Sequence, residues 1–290
     1  LALAYGSGWS SPGIMPERLV LDEGRSPYGA FSASDGGSAT RQLASLTYTA
    51  PFASGRFVLS TYLRRSTLAL YSNFTGYLDD RVNGDQRLQK ESRTVFGGNA
   101  RFEATHSAWG LRWSTLLGAE WRTDSIDADV FHTREREPLS RIYARQMTQS
   151  DLAGFARERI SFGSRVTLDL GARADLLLYD VVDPFEDTRT LSGATSATRS
   201  DLVLSPKVNL TIEAVRDHLF VYLNGGRSFR APDARVIVAQ ERSSGVAQAT
   251  GAEVGVRARL WDRRVELTGT AWWIDTERDA LFAADRVATV

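Results

Sequence analysis

Asp79, Asp80, Asn83 and Asp85 bring four side-chain oxygen donors into one short stretch, the densest such group in the chain. The chemistry open to them is capture of a hard cation, because oxygen ligands at closely spaced positions are what calcium takes. The spacing follows a calcium loop only loosely, and the closing Glu of the helical version is missing. A solvated acidic loop is the expectation, with Asp79, Asp80 and Asp85 free to face a ligand or a neighbouring domain, and no metal is assigned to it. Arg230 and Asp233 form a second place for chemistry, at the corner Arg230–Ala231–Pro232–Asp233. Pro232 cannot donate to a sheet ladder, so a strand is expected to end there. Arg230 and Asp233 then either cap that strand or face a ligand or an interior domain.

Nothing else suggests catalysis. His106, His132 and His218 lie far apart, and a solvated histidine is the expectation for each. There is no nucleophile elbow, no phosphate-cradling glycine loop and no metal-ligand spacing. The chain has no cysteine, which removes disulfides and zinc-thiolate sites. No catalytic residue, enzyme activity or cofactor is expected. The 35 basic and 35 acidic residues cancel, which argues against a nucleic-acid partner.

The remaining charges lie in order along alternating segments. From Val166 to Leu176 the even positions are Val, Leu, Leu, Ala, Ala and Leu, while Thr167, Asp169, Gly171, Arg173 and Asp175 fill the odd ones. Leu111, Trp113, Leu117, Ala119 and Trp121 share one face of the next such segment, opposite Arg112, Ser114, Glu120 and Arg122. Glu253, Arg257 and Arg259 oppose Ala252, Val254, Val256 and Leu260 in a third. Period-two separation of this kind specifies strands with one greasy face. A one-residue slip would turn every charge to that face, so register is strongly fixed.

No run of about 18 to 20 apolar residues occurs, which excludes a helical membrane protein but not a barrel. Short breaks at 50–55, 106–109, 161–164, 215–218 and 261–264 alternate with long polar excursions at 10–40, 75–91, 127–144, 183–200 and 229–246. One end of the sheet should therefore carry tight turns and the other long loops, as in a transmembrane barrel with periplasmic turns and extracellular loops. About eleven strands are expected, roughly 1–9, 41–51, 56–74, 92–105, 109–126, 145–160, 164–182, 201–214, 218–228, 247–261 and 263–277. Phe52, Phe57, Trp109, Phe162, Phe220 and Trp261 gather at the tight turns, where an interfacial aromatic girdle would sit. Eleven is an odd count, and an open edge in hydrocarbon leaves backbone groups unpaired, so a fragment of a larger barrel is expected.

Three stretches resemble TonB-dependent receptors. Leu204–Ser205–Pro206–Lys207–Val208–Asn209–Leu210, followed by a hairpin and Ser228–Phe229–Arg230–Ala231–Pro232–Asp233, is similar to that family's S-P-K-V and F-R-A-P strands. Gly251–Ala252–Glu253–Val254–Gly255 is similar to its E-x-G hairpin, and 70–86 looks like a subgroup of it. The sharp motifs cover about a fifth of the chain, the strand rhythm nearly all of it.

The resemblance implies an all-β chain of antiparallel transmembrane barrel, about eleven of an expected 22 strands, occupying residues 1–290 as a partial barrel domain. The family's plug domain and TonB box are not visible. It implies the bacterial outer membrane as location and outer-membrane lipid, a small nutrient ligand and the TonB complex, reached through a missing N-terminal region, as partners. The implied function is uptake of a scarce ligand such as a ferric siderophore, energised through TonB. A passive porin, a barrel enzyme and a soluble β protein are the alternatives. Arg112, Glu120, Arg122, Asp169, Arg173, Asp175, Glu253, Arg257 and Arg259 would line the lumen, hydrating it and holding the plug, or pairing with one another across strands.

Overall fold

In the computed structural model, residues 1–10, 15, 17–28, 32–182, 196–231, 246–277, 280–282 and 287–289 are described. Eleven strands form one antiparallel sheet in strict sequence order: β1 (Ala2–Ser10), β2 (Gly36–Phe52), β3 (Gly55–Ser72), β4 (Arg87–Ala108), β5 (Leu111–Arg134), β6 (Glu137–Phe162), β7 (Val166–Val182), β8 (Ser196–Val215), β9 (Leu219–Arg230), β10 (Ala247–Leu260) and β11 (Val265–Thr276). Each of the eleven expected strands is present. A short helix, α1 (Glu17–Glu23), precedes β2, and β12 (Ala280–Phe282) pairs with β13 (Val287–Thr289) apart from the main sheet. The order is a pure meander, so each hairpin packs only on its neighbours, and β1 and β11 stand at the two edges.

Register sorts the side chains as the alternation predicts. Arg173 lies opposite Phe155 and Ser205, and Leu170 opposite Glu158 and Val208. Following these pairs across the sheet puts all nine expected wall charges on one face. The other face carries Leu59, Phe102, Leu117, Trp121, Leu152, Leu170, Leu204 and Val254. From Trp113 to Trp121 this apolar band runs about 26 Å along the strand, at roughly 3.3 Å per residue. A tilt of about 40° brings that near the height of an outer-membrane apolar band.

Beyond Trp121 the two faces exchange character. Thr94, Ser125, Thr148, Asp180 and Thr198 form one cross-strand row on the formerly apolar face. On the other side Ile126, Met147, Leu177, Tyr179, Val181 and Val203 are buried together, with Phe229 and Val246 packed against them. A face that turns polar outside and apolar inside has left the bilayer, and the wall here packs on protein instead of lipid.

Two expectations are corrected. The excursion 127–144 is not a loop: β5 and β6 run on to Arg134 and Glu137, with register shifts between Val130 and Phe131 and between His132 and Thr133. Its residues look loop-like because above the bilayer both faces of a hairpin tolerate polar groups. The hairpin closes on Glu135 and Arg136, whose φ values of 51° and 74° are left-handed, a conformation glycine normally supplies. Phe220 also leaves the girdle. It pairs with Glu213 and Arg257 on the charged face, and Arg259 lies 5.1 Å from its ring. Phe52 and Phe102 do stack on the apolar face near the turns, with centroids 5.4 Å apart.

Candidate functional site

Two regions of polar chemistry emerge, a charged wall and a loop cluster at the far end of the sheet. On the wall, charges pair with immediate neighbours. Arg122 donates to both oxygens of Asp124, at 2.6 and 2.8 Å. Arg173 bridges Glu120, at 2.5 Å, and Asp175, at 2.8 Å. Asp169 accepts from Arg159 at 2.7 Å, with Arg157 at 3.5 Å. Glu253 accepts from Asn224 at 3.1 Å, and Arg257 and Arg259 converge on Glu266 at 3.6 and 2.9 Å. Arg112 stands at the turn end, opposite Ser107 and Ser161. The mutual-pairing reading therefore describes much of this wall. Exposed pairs of this sort contribute little, about 0.2–1 kcal/mol each. The exception is Asp175, whose side chain is 0% exposed and which has one oxygen without a hydrogen-bond partner among the described residues.

Several partners in this ladder escaped the sequence reading: Asp124, Arg157, Arg159, Arg199, Asp201 and Glu266. A signal for them exists. Asp124 is two residues beyond Arg122, hence on its face, and Arg159 lies directly opposite Asp169.

The loop cluster is built on residues 73–86. Asp85 is buried and accepts from Thr75 Oγ1 (2.7 Å), Leu78 N (2.8 Å), Asp79 N (3.2 Å) and Asp80 N (2.7 Å). Burial alone would raise its carboxyl, but these donors outweigh it and hold the group below its ordinary 3.8. Asp80 takes Asn83 N, Asn83 Nδ2 and Val82 N, at 2.9 Å each. Those bonds, the Asn83 backbone first and then the Asn83 side chain and Val82, hold Asp80 down at about 2. Two of the three loop acids are thus taken up with folding the loop. Asp79 keeps its carboxylate outward, 3.8 Å from Arg87. Among the described residues no group of three or more acidic, His or Cys side chains is arranged to hold a metal ion.

A buried glutamine joins this loop to its neighbours. Gln86 Nε2 donates to Ser34 Oγ (2.7 Å) and Asp35 Oδ1 (2.8 Å), and its Oε1 accepts from Thr133 Oγ1 (3.0 Å) and Arg136 N (2.9 Å). Arg136 Nε reaches Ser34 O at 2.8 Å, and its guanidinium lies 5.1 Å from the Tyr71 ring. These contacts hold the left-handed hairpin tip in place. His132 is not merely solvated: its Nε2 lies 2.6 Å from Gly84 O. Ser32, Asn73, Tyr77, Asn83, Arg134 and Glu135 rim a polar concavity of about 400 Å³ between the three segments. Arg230 closes β9 opposite Ala247 at the same end of the sheet. Asp233 lies outside the described residues.

The carboxylates predict how the loop answers acid. Both have folded values below the unfolded one, so their contribution is complete above the ordinary 3.8 and disappears as pH falls through the folded values. Amide exchange of 73–86 should be equally protected at pH 7 and pH 5.5, then open as pH drops from about 4 towards 2. Asp85→Asn, which offers an NH2 to the loop's N–H donors, should already expose the loop at pH 7. Identical protection across the whole range would show that neither carboxylate holds it.

Comparison with known proteins places the fold. No curated protein sequence matches the chain. Among solved structures, the unliganded ferric citrate transporter FecA superimposes with a TM-score of 0.75 at 16% identity, covering 94% of this chain and 39% of its own. The closed form of the ferric-catecholate import receptor Fiu from E. coli K12 gives 0.68 at 14% identity, with 96% and 46% covered. BauA, the ferric preacinetobactin receptor of Acinetobacter baumannii, gives 0.63 at 12%, with 91% and 42% covered. The chain thus spans less than half the length of each. At such identities the likeness concerns the fold. A family model described as TonB dependent receptor-like, beta-barrel matches residues 4–288, and on that match the chain belongs to the TonB-dependent receptors, as eleven consecutive strands of their barrel.

Proposed function

We propose that these strands are part of the wall of a bacterial outer-membrane receptor that imports a scarce ligand, such as a ferric siderophore or a similar nutrient chelate, energised through TonB. The observation that carries this is the two-faced wall. Its apolar band suits a bilayer, and its opposite face is lined with paired charges at the same height. The proposal includes a longer chain, because β1 and β11 present edge backbone groups that hydrocarbon would leave unsatisfied. Further strands would close the barrel, and a plug and TonB box would complete the machine. The titles of FecA, Fiu and BauA name iron chelates, which makes ferric chelates the first ligands to try. Within the wall, Asp79 and Arg230 at the loop end are proposed to meet the ligand or plug, together with Asp233. Asp80 and Asp85 shape the loop that presents Asp79.

Deleting the gene should abolish accumulation of one radiolabelled ferric chelate from a panel, and deleting TonB should abolish the same uptake. Steady conductance of the purified full-length protein in planar bilayers, with uptake indifferent to TonB, would replace this reading by a passive pore.

A further inference from the structure

The bilayer-facing side of β5 and β6 carries one acid in otherwise apolar surroundings. Glu158 pairs with Thr115 and Leu170, and Ala156 and Ile160 flank it on the same face of β6. Its basic chain neighbours, Arg157 and Arg159, point the other way and are held by Asp169. Glu158 has no hydrogen bond or ion pair among the described residues, and its Oε2 is buried without a partner. Trp113, its diagonal neighbour across the strand pair, likewise buries Nε1 without a partner. His106 lies opposite Trp113 and stacks on it, with centroids 5.8 Å apart. A carboxylate, an unspent indole N–H and two aromatic faces thus share one outward patch.

Depth decides what meets that patch. Phe162 ends β6 on the same face, and Glu158 lies about 10 Å further in, at roughly 3.3 Å per residue and a tilt of about 40°. That height is just inside the headgroup layer on the turn side of the wall, where the mobile groups are phospholipid headgroups.

We propose that Glu158, Trp113 and His106 form an outward site for the ammonium headgroup of a phospholipid in the periplasmic leaflet. The carboxylate meets the ammonium in a charge-assisted hydrogen bond, and the ring faces hold it by their quadrupoles. The indole N–H is left to donate to the phosphodiester. An anionic headgroup without an amine would meet the carboxylate as a like charge. The proposal rests on the bilayer placement given above.

The test is native mass spectrometry of the full-length receptor, delipidated and then offered phosphatidylethanolamine or phosphatidylglycerol of identical acyl chains. Wild type should retain the ethanolamine lipid about tenfold more tightly, the size of one charge-assisted contact. Glu158→Gln should abolish the preference, and Trp113→Phe should reduce it. Heat-modifiable migration shows whether each variant barrel is folded. Equal retention of both lipids by wild type, or an unchanged preference in Glu158→Gln, overturns the site while leaving the receptor in the membrane. A receptor that floats with vesicles of neither lipid overturns the bilayer placement together with the site.

Discussion

Replacing Gln86 by Leu should unlock the loop end of the receptor and leave the wall untouched. Leu nearly matches Gln in volume, so the packing change is small and the loss is almost wholly polar. Four groups lose their partner: Ser34 Oγ, Asp35 Oδ1, Thr133 Oγ1 and the Arg136 amide. Each buried polar group left unsatisfied costs about 1–3 kcal/mol, with some of that returned as water enters. A net local loss of about 3 kcal/mol or more follows, and with it a fall in amide protection of at least about a hundredfold. Hydrogen exchange on the full-length receptor should show this in peptides covering 32–36, 73–86 and 131–137. Peptides from 166–176 in β7 should not change. The hairpin tip is the most sensitive part, because Glu135 and Arg136 hold left-handed backbone angles without glycine and depend on these contacts to stay there. Protection equal to wild type in all three segments would mean that the loops are held elsewhere.

The sheet was readable because burial writes its pattern once per strand. From Leu111 to Trp121 and from Val166 to Leu176, lipid on one side and water on the other force alternation, and the strands appear where it appears. The same rule explains where the reading stopped. Above Trp121 the hairpin of β5 and β6 no longer divides lipid from water, so its residues lose the pattern while keeping the ladder. Phe220 was misplaced by its nearness to a turn, although its register opposite Glu213 and Arg257 carried the correct answer. The loop cluster was half legible. Asp79, Asp80 and Asp85 stand out as a group, but their partners are mostly backbone amides, which every loop possesses and no spacing marks. Gln86 gave no signal at all, since its four partners come from segments about 50 residues away on either side.

Arg173→Met should destabilise the wall more than loss of any exposed pair on it. Arg173 holds the fully buried Asp175, bonds Glu120, and lies 6.0 Å from the centroid of the Phe155 ring. That ring in turn covers Gly118, where an added Cβ would come within 2.2 Å of it. Water can regain Glu120, whose side chain is 44% exposed, so the cost falls on Asp175. Removing one member of a buried pair typically costs about 3–5 kcal/mol, because the remaining charge is left desolvated and alone. Met preserves much of the packing over Phe155, which isolates the electrostatic part. Arg173→Lys should fall in between, since a point charge cannot replace a fork that serves two carboxylates. The double variant Arg173→Met with Asp175→Leu should recover most of the loss, because neither charge then remains buried. Denaturant midpoints of the full-length barrel, followed by tryptophan fluorescence, would rank the four proteins. If Arg173→Met alone were neutral, water would have to reach Asp175 from the lumen, and the wall there would be a hydrated lining instead of a packed one.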